Sequence, residues 1–379
     1  MSRRELARAQ RVVVKIGTSL LTPTGDSVQT RRFASFARQI ADEIKGKRAI
    51  VLVASGAVGL GTRRLGLSER PRSIPGKQAA AAVGQIDLCR RFERAFARQG
   101  LLVGQMLLDH AGFADRERFL NARRTLAQLL ADGVVPIINE NDSVATEELR
   151  FGDNDQLAAQ VVNTCGADLL ILLTDIDGLY DRNPSVAGAQ RIAEVPEVTA
   201  KLLAIAGSEG SAMSTGGMRS KLLAARAASR FGVPTVIADG RARNVLRRIL
   251  AGEDLGTRVQ AAEESLSSRK HWIAFTLKPR GELTLDAGAV RALRERRASL
   301  LPAGVTAVAG KFGVGDPVAC LTPDGEEVAR GLVSYDAREL ERIKGQRTSR
   351  ISEVLGYSNG DEIIHRDNLI VFQSGLPKG

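Results

Sequence analysis

Two lysines and one run of carboxylates and amides carry the chemistry that this sequence offers. Lys15 sits near the end of an apolar run, RVVVKI, and Gly17-Thr18-Ser19 follows at once. Lys221 comes after Ser214-Thr215-Gly216-Gly217-Met218-Arg219-Ser220. A glycine beside a lysine lets backbone N–H groups approach an anion that the ammonium also attracts. Where such a loop opens a helix, as at Lys221, the helix dipole adds to the attraction. The third stretch is PIINENDSVATEELRFGDND, residues 136–155, where an apolar run breaks into Asn139-Glu140-Asn141-Asp142. A second polar knot, Gly152-Asp153-Asn154-Asp155, follows shortly after. Open α/β sheets bind ligands at the carboxyl ends of their strands. Asx turns alone would also put acidic residues there, but two knots on one loop point to a grip on a polar, charged substrate.

These residues suit phosphoryl transfer. That reaction needs positive charge over the β- and γ-phosphates, usually with Mg²⁺, and little covalent help from the protein. Two lysines from separate loops would supply the charge, and Asp155 or Asp153 would hold them or contact the metal. No Walker A sequence occurs, so a P-loop fold is not supported. A carboxylate acceptor is already an anion and needs no general base. That fits a chain whose three histidines, His110, His271 and His365, all lie outside the strand-end motifs. If the acceptor is an amino acid, Asp142 would pair with its ammonium, while Asn154 and the Ser55 region would donate to carboxylate oxygens. For Ser55 the segment Ala54-Ser55-Gly56-Ala57 reads equally well as a plain tight turn.

The elements that must position these groups alternate. Arg11–Ile16, Ala49–Val53, Leu101–Leu107, Val134–Ile138, Asp168–Leu173 and Pro234–Ile237 read as buried strands, short, apolar and rich in β-branched residues. Between them, Thr30–Lys45, Gln78–Gln99, Asp115–Leu130, Asp155–Cys165 and Met218–Phe231 have helical spacing, and the Ala-rich start of the second permits close packing. Strand–helix alternation predicts a parallel sheet inside a three-layer α/β/α sandwich. After a Ser-rich linker at 263–270 the rhythm changes. Short strands at Gly304–Val308, Val318–Cys320, Val328–Val333 and Ile363–Val371, with helices Asp286–Arg297 and Ser349–Leu355, predict a small β-barrel-like domain. The expected division is 1–262, linker 263–270, and 271–379.

Composition narrows the function class. The 379 residues suit two domains, and 44% hydrophobic with 4% aromatic content favours α/β packing of aliphatic side chains. Three scattered cysteines argue against a disulfide framework or a metal cluster. No apolar run reaches the roughly 20 residues of a membrane helix, and the N-terminus has no apolar leader, so a cytoplasmic location is expected. The net charge of +11 invites nucleic-acid binding. Yet residues 270–379 hold 16 basic and 14 acidic side chains, which leaves +9 for the remainder. Much of the excess is Arg on helices, such as Arg90, Arg91, Arg94 and Arg98, and reads as solvated surface. The cluster Arg291, Arg294, Arg296 and Arg297 is either a solvated helix face or an RNA patch, and RNA binding through the C-terminal domain is the competing function.

Seven segments in order, VVVKIGTSLL, VASGAVGLG, KQAAAAVGQ, PIINENDSV, FGDNDQLAA, LLTDIDGLY and STGGMRSKL, resemble the glutamate 5-kinases of the amino acid kinase family. The C-terminal LLPAGV, GKFGVGD and ARGLVSY look like a PUA domain, a module common in RNA-modifying enzymes. The resemblance implies a cytoplasmic, ATP- and Mg²⁺-dependent kinase that phosphorylates the γ-carboxylate of L-glutamate, the first step of proline synthesis from glutamate. It implies that Lys15 and Lys221 contact the phosphates and that Asp155 orients them. Ser55, Asp142 and Asn154 would bind glutamate. Thr174, Asp175, Thr215, Gly216, Gly217, Met218, Arg219, Ser220 and Lys221 would bind ATP with Lys15. It assigns no residue to the metal. Feedback inhibition by proline and a homo-oligomer are also implied. The sequence departs from the family pattern at Ser214, often glycine, and at Arg219; neither change touches an assigned charge.

Overall fold

The computed structural model describes residues 2–22, 26–109, 113, 116–144, 154–207, 217–262, 273, 277–296 and 298–372. The chain forms two compact units, Met1–Ser265 and Leu266–Gly379. The first is built on strands β1 (Arg11–Ile16), β2 (Ala49–Ala54), β3 (Val103–Leu108), β4 (Val135–Glu140) and β5 (Leu169–Thr174). Strands β6 (Leu179–Tyr180) and β7 (Arg191–Ile192) make a separate ribbon, and β8 (Glu194–Val195), β9 (Thr235–Asp239) and β10 (Thr257–Val259) return to the main sheet. Its order is β3-β4-β2-β1-β5-β9-β10-β8. The pairs from β3 to β9 are parallel, and β9–β10 is antiparallel.

Parallel strands need helical crossovers, so both faces of the sheet are covered and the strands are mostly apolar. Alternation along each strand divides the core in two. Val12, Val14 and Ile16 join Ile50, Leu52, Leu169, Ile171 and Leu173 on one face. Val13, Val51, Val53, Leu170 and Leu172 face the other way. Lys15 shares the parity of Val13, so it is turned towards that second face. The α-helices described in this unit are α1 (Thr18–Leu21), α2 (Asp26–Lys45), α3 (Ala57–Arg64), α4 (Ile74–Ala97), α5 (Arg116–Ala131), α6 (Asn154–Cys165), α7 (Ala200–Gly207), α8 (Met218–Arg230) and α9 (Val245–Leu250). Of these, α6 and α8 cover the face to which Lys15 turns. The architecture is the three-layer sandwich that the alternation predicts.

Several boundaries differ from the sequence reading. β4 runs two residues further than Val134–Ile138, so Asn139 and Glu140 are strand residues, and both are buried. α4 begins at Ile74 instead of Gln78, because Ser73 caps it by accepting from the Gly76 N–H and Pro75 stands in its first turn. α4 crosses α3 at a pair of glycines. A Cβ on Gly84 would stand 1.8 Å from the Ala57 carbonyl oxygen, and one on Gly61 would stand 1.7 Å from that of Ala80. The two backbones meet with no room for a side chain.

The second unit has its own sheet, β12-β11-β13-β14-β15, made from β11 (Gly281–Leu285), β12 (Val305–Gly310), β13 (Pro317–Leu321), β14 (Glu327–Leu332) and β15 (Leu369–Val371). β11 has no counterpart in the sequence reading. Ile363–Val371 is not one strand: Ile364 makes an isolated bridge with Leu300, residues 366–368 form a helical turn, and only 369–371 join the sheet. The core here closes around fully buried Tyr335, whose hydroxyl donates to the Gly360 carbonyl at 2.5 Å. Among the described residues no helix is long and apolar enough to cross a membrane.

Gly84→Ala forces two backbones apart, and overpacking of this kind costs about 1–3 kcal/mol. A lowered urea midpoint for the first unit's transition is the expected result; an unchanged midpoint would show that the crossing relaxes freely.

Candidate active site

Lys15, Lys221 and Asp155 come together. Asp155 lies in the first turn of α6 with no exposed surface, and Lys15 and Lys221 are each 4% exposed. The Lys15 ammonium is 2.6 Å from Asp155 Oδ1, and that of Lys221 is 3.1 Å from Oδ2. One carboxylate therefore bridges a lysine from β1 and a lysine from the start of α8. Burial pushes the Asp155 carboxyl up, but the two adjacent ammonium groups outweigh it and hold the carboxyl below its usual range. One carboxylate lies between two ammonium groups in a site shielded from water, an arrangement that suits an anionic ligand.

The neighbouring residue, Asn154, belongs to a different cluster. Its Nδ2 donates to Asn139 Oδ1 at 2.8 Å, to Ser55 Oγ at 2.9 Å and to the Ala54 carbonyl at 3.4 Å. Ser55 is presented by a turn that only glycine makes easily, since Gly56 has φ +114°. The sequence reading has Asn154 donating to a substrate carboxylate. The structure differs: both amide hydrogens are committed within the protein, and the atom left over is Oδ1, a buried acceptor with no hydrogen bond among the described residues. Ser55 keeps its hydroxyl proton for a ligand, because its oxygen accepts from Asn154.

Asp142 opens a short helical turn just beyond β4 and is 7% exposed. Its Oδ1 also accepts no hydrogen bond among the described residues. Burial pushes its carboxyl up to about 6, against the opposing pull of the Arg70 guanidinium. The folded state therefore keeps this proton to higher pH than an ordinary carboxyl of 3.8, so stability falls as pH rises between those values. A cation bound at Asp142 would offset that loss. Beside Asp142 lies a cavity of about 300 Å³, lined in part by Gln85, Gln105, Glu140 and Ser143.

Thr174 ends β5, buried, and its hydroxyl donates to exposed Asp175 at 3.2 Å. Gly217 caps α8 without a side chain; Met218 and Ser220 are half-buried and Arg219 is exposed. Thr215, Gly216 and Asp153 lie outside the described residues. A role for Asp155 as metal ligand does not fit, since both its oxygens face ammonium groups. Among the described residues no three His, Cys, Asp or Glu side chains cluster to hold a metal. In the second unit, Arg291, Arg294 and Arg296 are exposed and Arg294 pairs with Glu326 at 3.2 Å, while Arg297 lies outside the described residues.

The amino acid kinase family pattern matches residues 10–239. The chain belongs to the amino acid kinase family. The pattern of the PUA domain matches residues 281–355 of this kinase. Three curated relatives named glutamate 5-kinase are each 48% identical: those of Moorella thermoacetica (97% of this chain and 97% of that one), Syntrophus aciditrophicus (97% and 96%) and Geobacter sulfurreducens (97% and 98%).

Two residues of the amide cluster have contacts that the sequence reading does not assign them. Asn139 is 1% exposed inside a strand, and an amide buried there is a signal in itself. Gln85 stands in KQAAAAVGQ, whose spacing gives no hint that its amide reaches Asn139 at 2.7 Å. Removing the charge from Asp155 tests the cluster. Asp155→Asn leaves two buried ammonium groups uncompensated, a loss of about 3–5 kcal/mol, read as a lowered denaturation midpoint. The double variant Asp155→Asn, Lys221→Met should recover part of it; a double variant no more stable than the single one would show that the pairs act independently.

Proposed function

We propose that this amino acid kinase transfers the γ-phosphoryl group of ATP to the side-chain carboxylate of L-glutamate, forming L-glutamyl 5-phosphate for proline biosynthesis. The observation that carries the reading is the pair Asn154–Asp155. Consecutive residues of one helix start serve two clusters, one with two ammonium groups on a single carboxylate and one with acceptors unpaired among the described residues and a hydroxyl donor. The first suits phosphate and the second suits an α-amino acid.

In the reaction, a γ-carboxylate oxygen of glutamate attacks the γ-phosphorus, the new O–P bond replaces the bond to the β-phosphate oxygen, and ADP leaves with the electron pair. No proton has to be removed, so no general base is required. Lys15 and Lys221 stabilise the charge that develops on the phosphoryl oxygens and on the leaving group. The start of α8, with Gly217 as a cap that has no side chain, adds the positive end of the helix dipole. Thr174, Asp175 and residues 217–221 would bind the nucleotide, as would Thr215 and Gly216 by the family resemblance, with Asp155 keeping the two ammonium groups apart and oriented. Asp142 and Asn154 receive the glutamate ammonium, and the Ser55 hydroxyl donates to a substrate carboxylate. A divalent cation, Mg²⁺ by chemistry, would arrive on the ATP phosphates and supply charge neutralisation there, because the protein's own carboxylate is occupied by lysines.

Proline carries the same α-ammonium and α-carboxylate, so it would compete for Asp142 and Asn154. Exposed Ile86 and Leu102, 63% and 74% accessible, are apolar surface of the kind a second copy of the chain would cover. The C-terminal unit's RNA affinity has no comparable support in this structure.

ATP consumption with a panel of amino acids and Mg²⁺ tests the reading: L-glutamate should be turned over, and turnover of aspartate or N-acetylglutamate without it would sink the proposal. Lys221→Ala should depress kcat more than it raises the glutamate KM, whereas a pure KM effect would reduce Lys221 to a binding role. Since Asp142 binds ammonium only when ionised, kcat/KM for glutamate should rise with pH through about 6. Asp142→Asn should abolish that rise, and a retained inflection would assign it to another group.

A further inference from the structure

We propose that Gln85 is a positioning residue that fixes the amide of Asn154 with its oxygen towards the substrate, so that the site selects an amino acid by its ammonium. The inference rests on the reading of the substrate as an α-amino acid.

An amide side chain has a donor end and an acceptor end, so a chain of hydrogen-bonded amides has a direction. Here the chain begins on α4. Gln85 Nε2 donates to Cys89 Sγ at 3.4 Å, which leaves Oε1 facing Asn139. Gln85 Oε1 accepts from Asn139 Nδ2 at 2.7 Å, and Asn139 Oδ1 accepts in turn from Asn154 Nδ2 at 2.8 Å. Ser55 Oγ and the Ala54 carbonyl take the remaining donor capacity of Asn154. Turning Asn154 over would set its oxygen against the Ala54 carbonyl and the Asn139 oxygen, acceptor against acceptor. Turning Asn139 over as well would set its oxygen against that of Gln85. Each link thus fixes the next.

The consequence is the unpaired Asn154 Oδ1, on a side chain 3% exposed. A buried acceptor without a donor has lost its hydration with nothing in return, a cost that a ligand N–H relieves. Asp142 Oδ1 is a second such acceptor, 7% exposed. An ammonium has three N–H donors, enough for both acceptors. A dicarboxylate without the ammonium satisfies neither. Gln85 itself follows Gly84 on α4, at the glycine crossing with α3, so its place is set by backbone packing and not by the ligand.

The test compares L-glutamate with glutarate, which keeps both carboxylates and lacks the ammonium, through the glutamate KM and the glutarate inhibition constant. Gln85→Met preserves the shape and removes the acceptor. It should raise the glutamate KM at least about ten-fold, leave the ATP KM unchanged and move the glutarate constant little, so the preference for glutamate shrinks. Gln85→Glu keeps an acceptor oxygen for Asn139 and should retain the preference. If Gln85→Met melts well below the wild type, Gln85→Ala is judged by the same ratio. An unchanged glutamate-to-glutarate ratio in Gln85→Met or Gln85→Ala, or equal loss in Gln85→Glu, overturns the inference alone. Failure of the wild-type protein to turn over L-glutamate overturns the substrate reading and the inference with it.

Discussion

The site depends on a single carboxylate held between two ammonium groups. Burying three charges costs several kcal/mol for each ion, and the pairing must recover that cost through good geometry. Asp155 does so because its two oxygens each face a different lysine, one delivered by a strand and one by a helix. Strand alternation turns Lys15 to the face that α6 and α8 cover, where Val13 lies in the core. The first turn of α6 favours a negative charge through the helix dipole. The sheet register, the helix start and the charge balance therefore constrain one another, and moving any one element leaves an uncompensated buried charge.

A second constraint is purely steric. Gly61 and Gly84 let α3 and α4 approach until backbone meets backbone. That contact seats the residue after Gly84 against the end of β4, and from Gln85 a line of side-chain amides runs to Asn154 at the head of α6. Helix packing on the edge half of the sheet is thereby tied to the orientation of an acceptor in the centre.

Most of the fold is legible in the sequence because periodicity and punctuation agree in the first unit: apolar runs of about six residues, glycines after them, helical spacing between. The lysines and the polar loop are legible too, since strand ends are where such residues gather. What escapes has physical causes. Asn139 and Glu140 look like loop because they are polar, yet pairing with β3 carries the strand through them. β11, Gly-Glu-Leu-Thr-Leu, is too short and too polar to stand out before a helix. The Ile363–Val371 run is apolar at both ends, but Arg366-Asp367-Asn368 bends it away from a single strand. The direction of an amide chain has no sequence signature, because asparagine supplies donor and acceptor alike; only the partners decide which faces out.

The adjacency of Asn154 and Asp155 follows from the same logic. Successive helical residues point about 100° apart, so two neighbours at a helix start can serve two sites at a fixed separation without any further element. Asp155 turns into the lysines and Asn154 into the amides, and neither can shift without moving the other. A transfer reaction gains from this arrangement, because holding two reactants in register removes much of the entropic cost of bringing them together. The helix start is the rigid spacer between the lysine cluster and the amide cluster. Its position is itself set by the Lys15–Asp155 pair, so under the proposed reaction the charge offered to the phosphate would also fix where the acceptor lies.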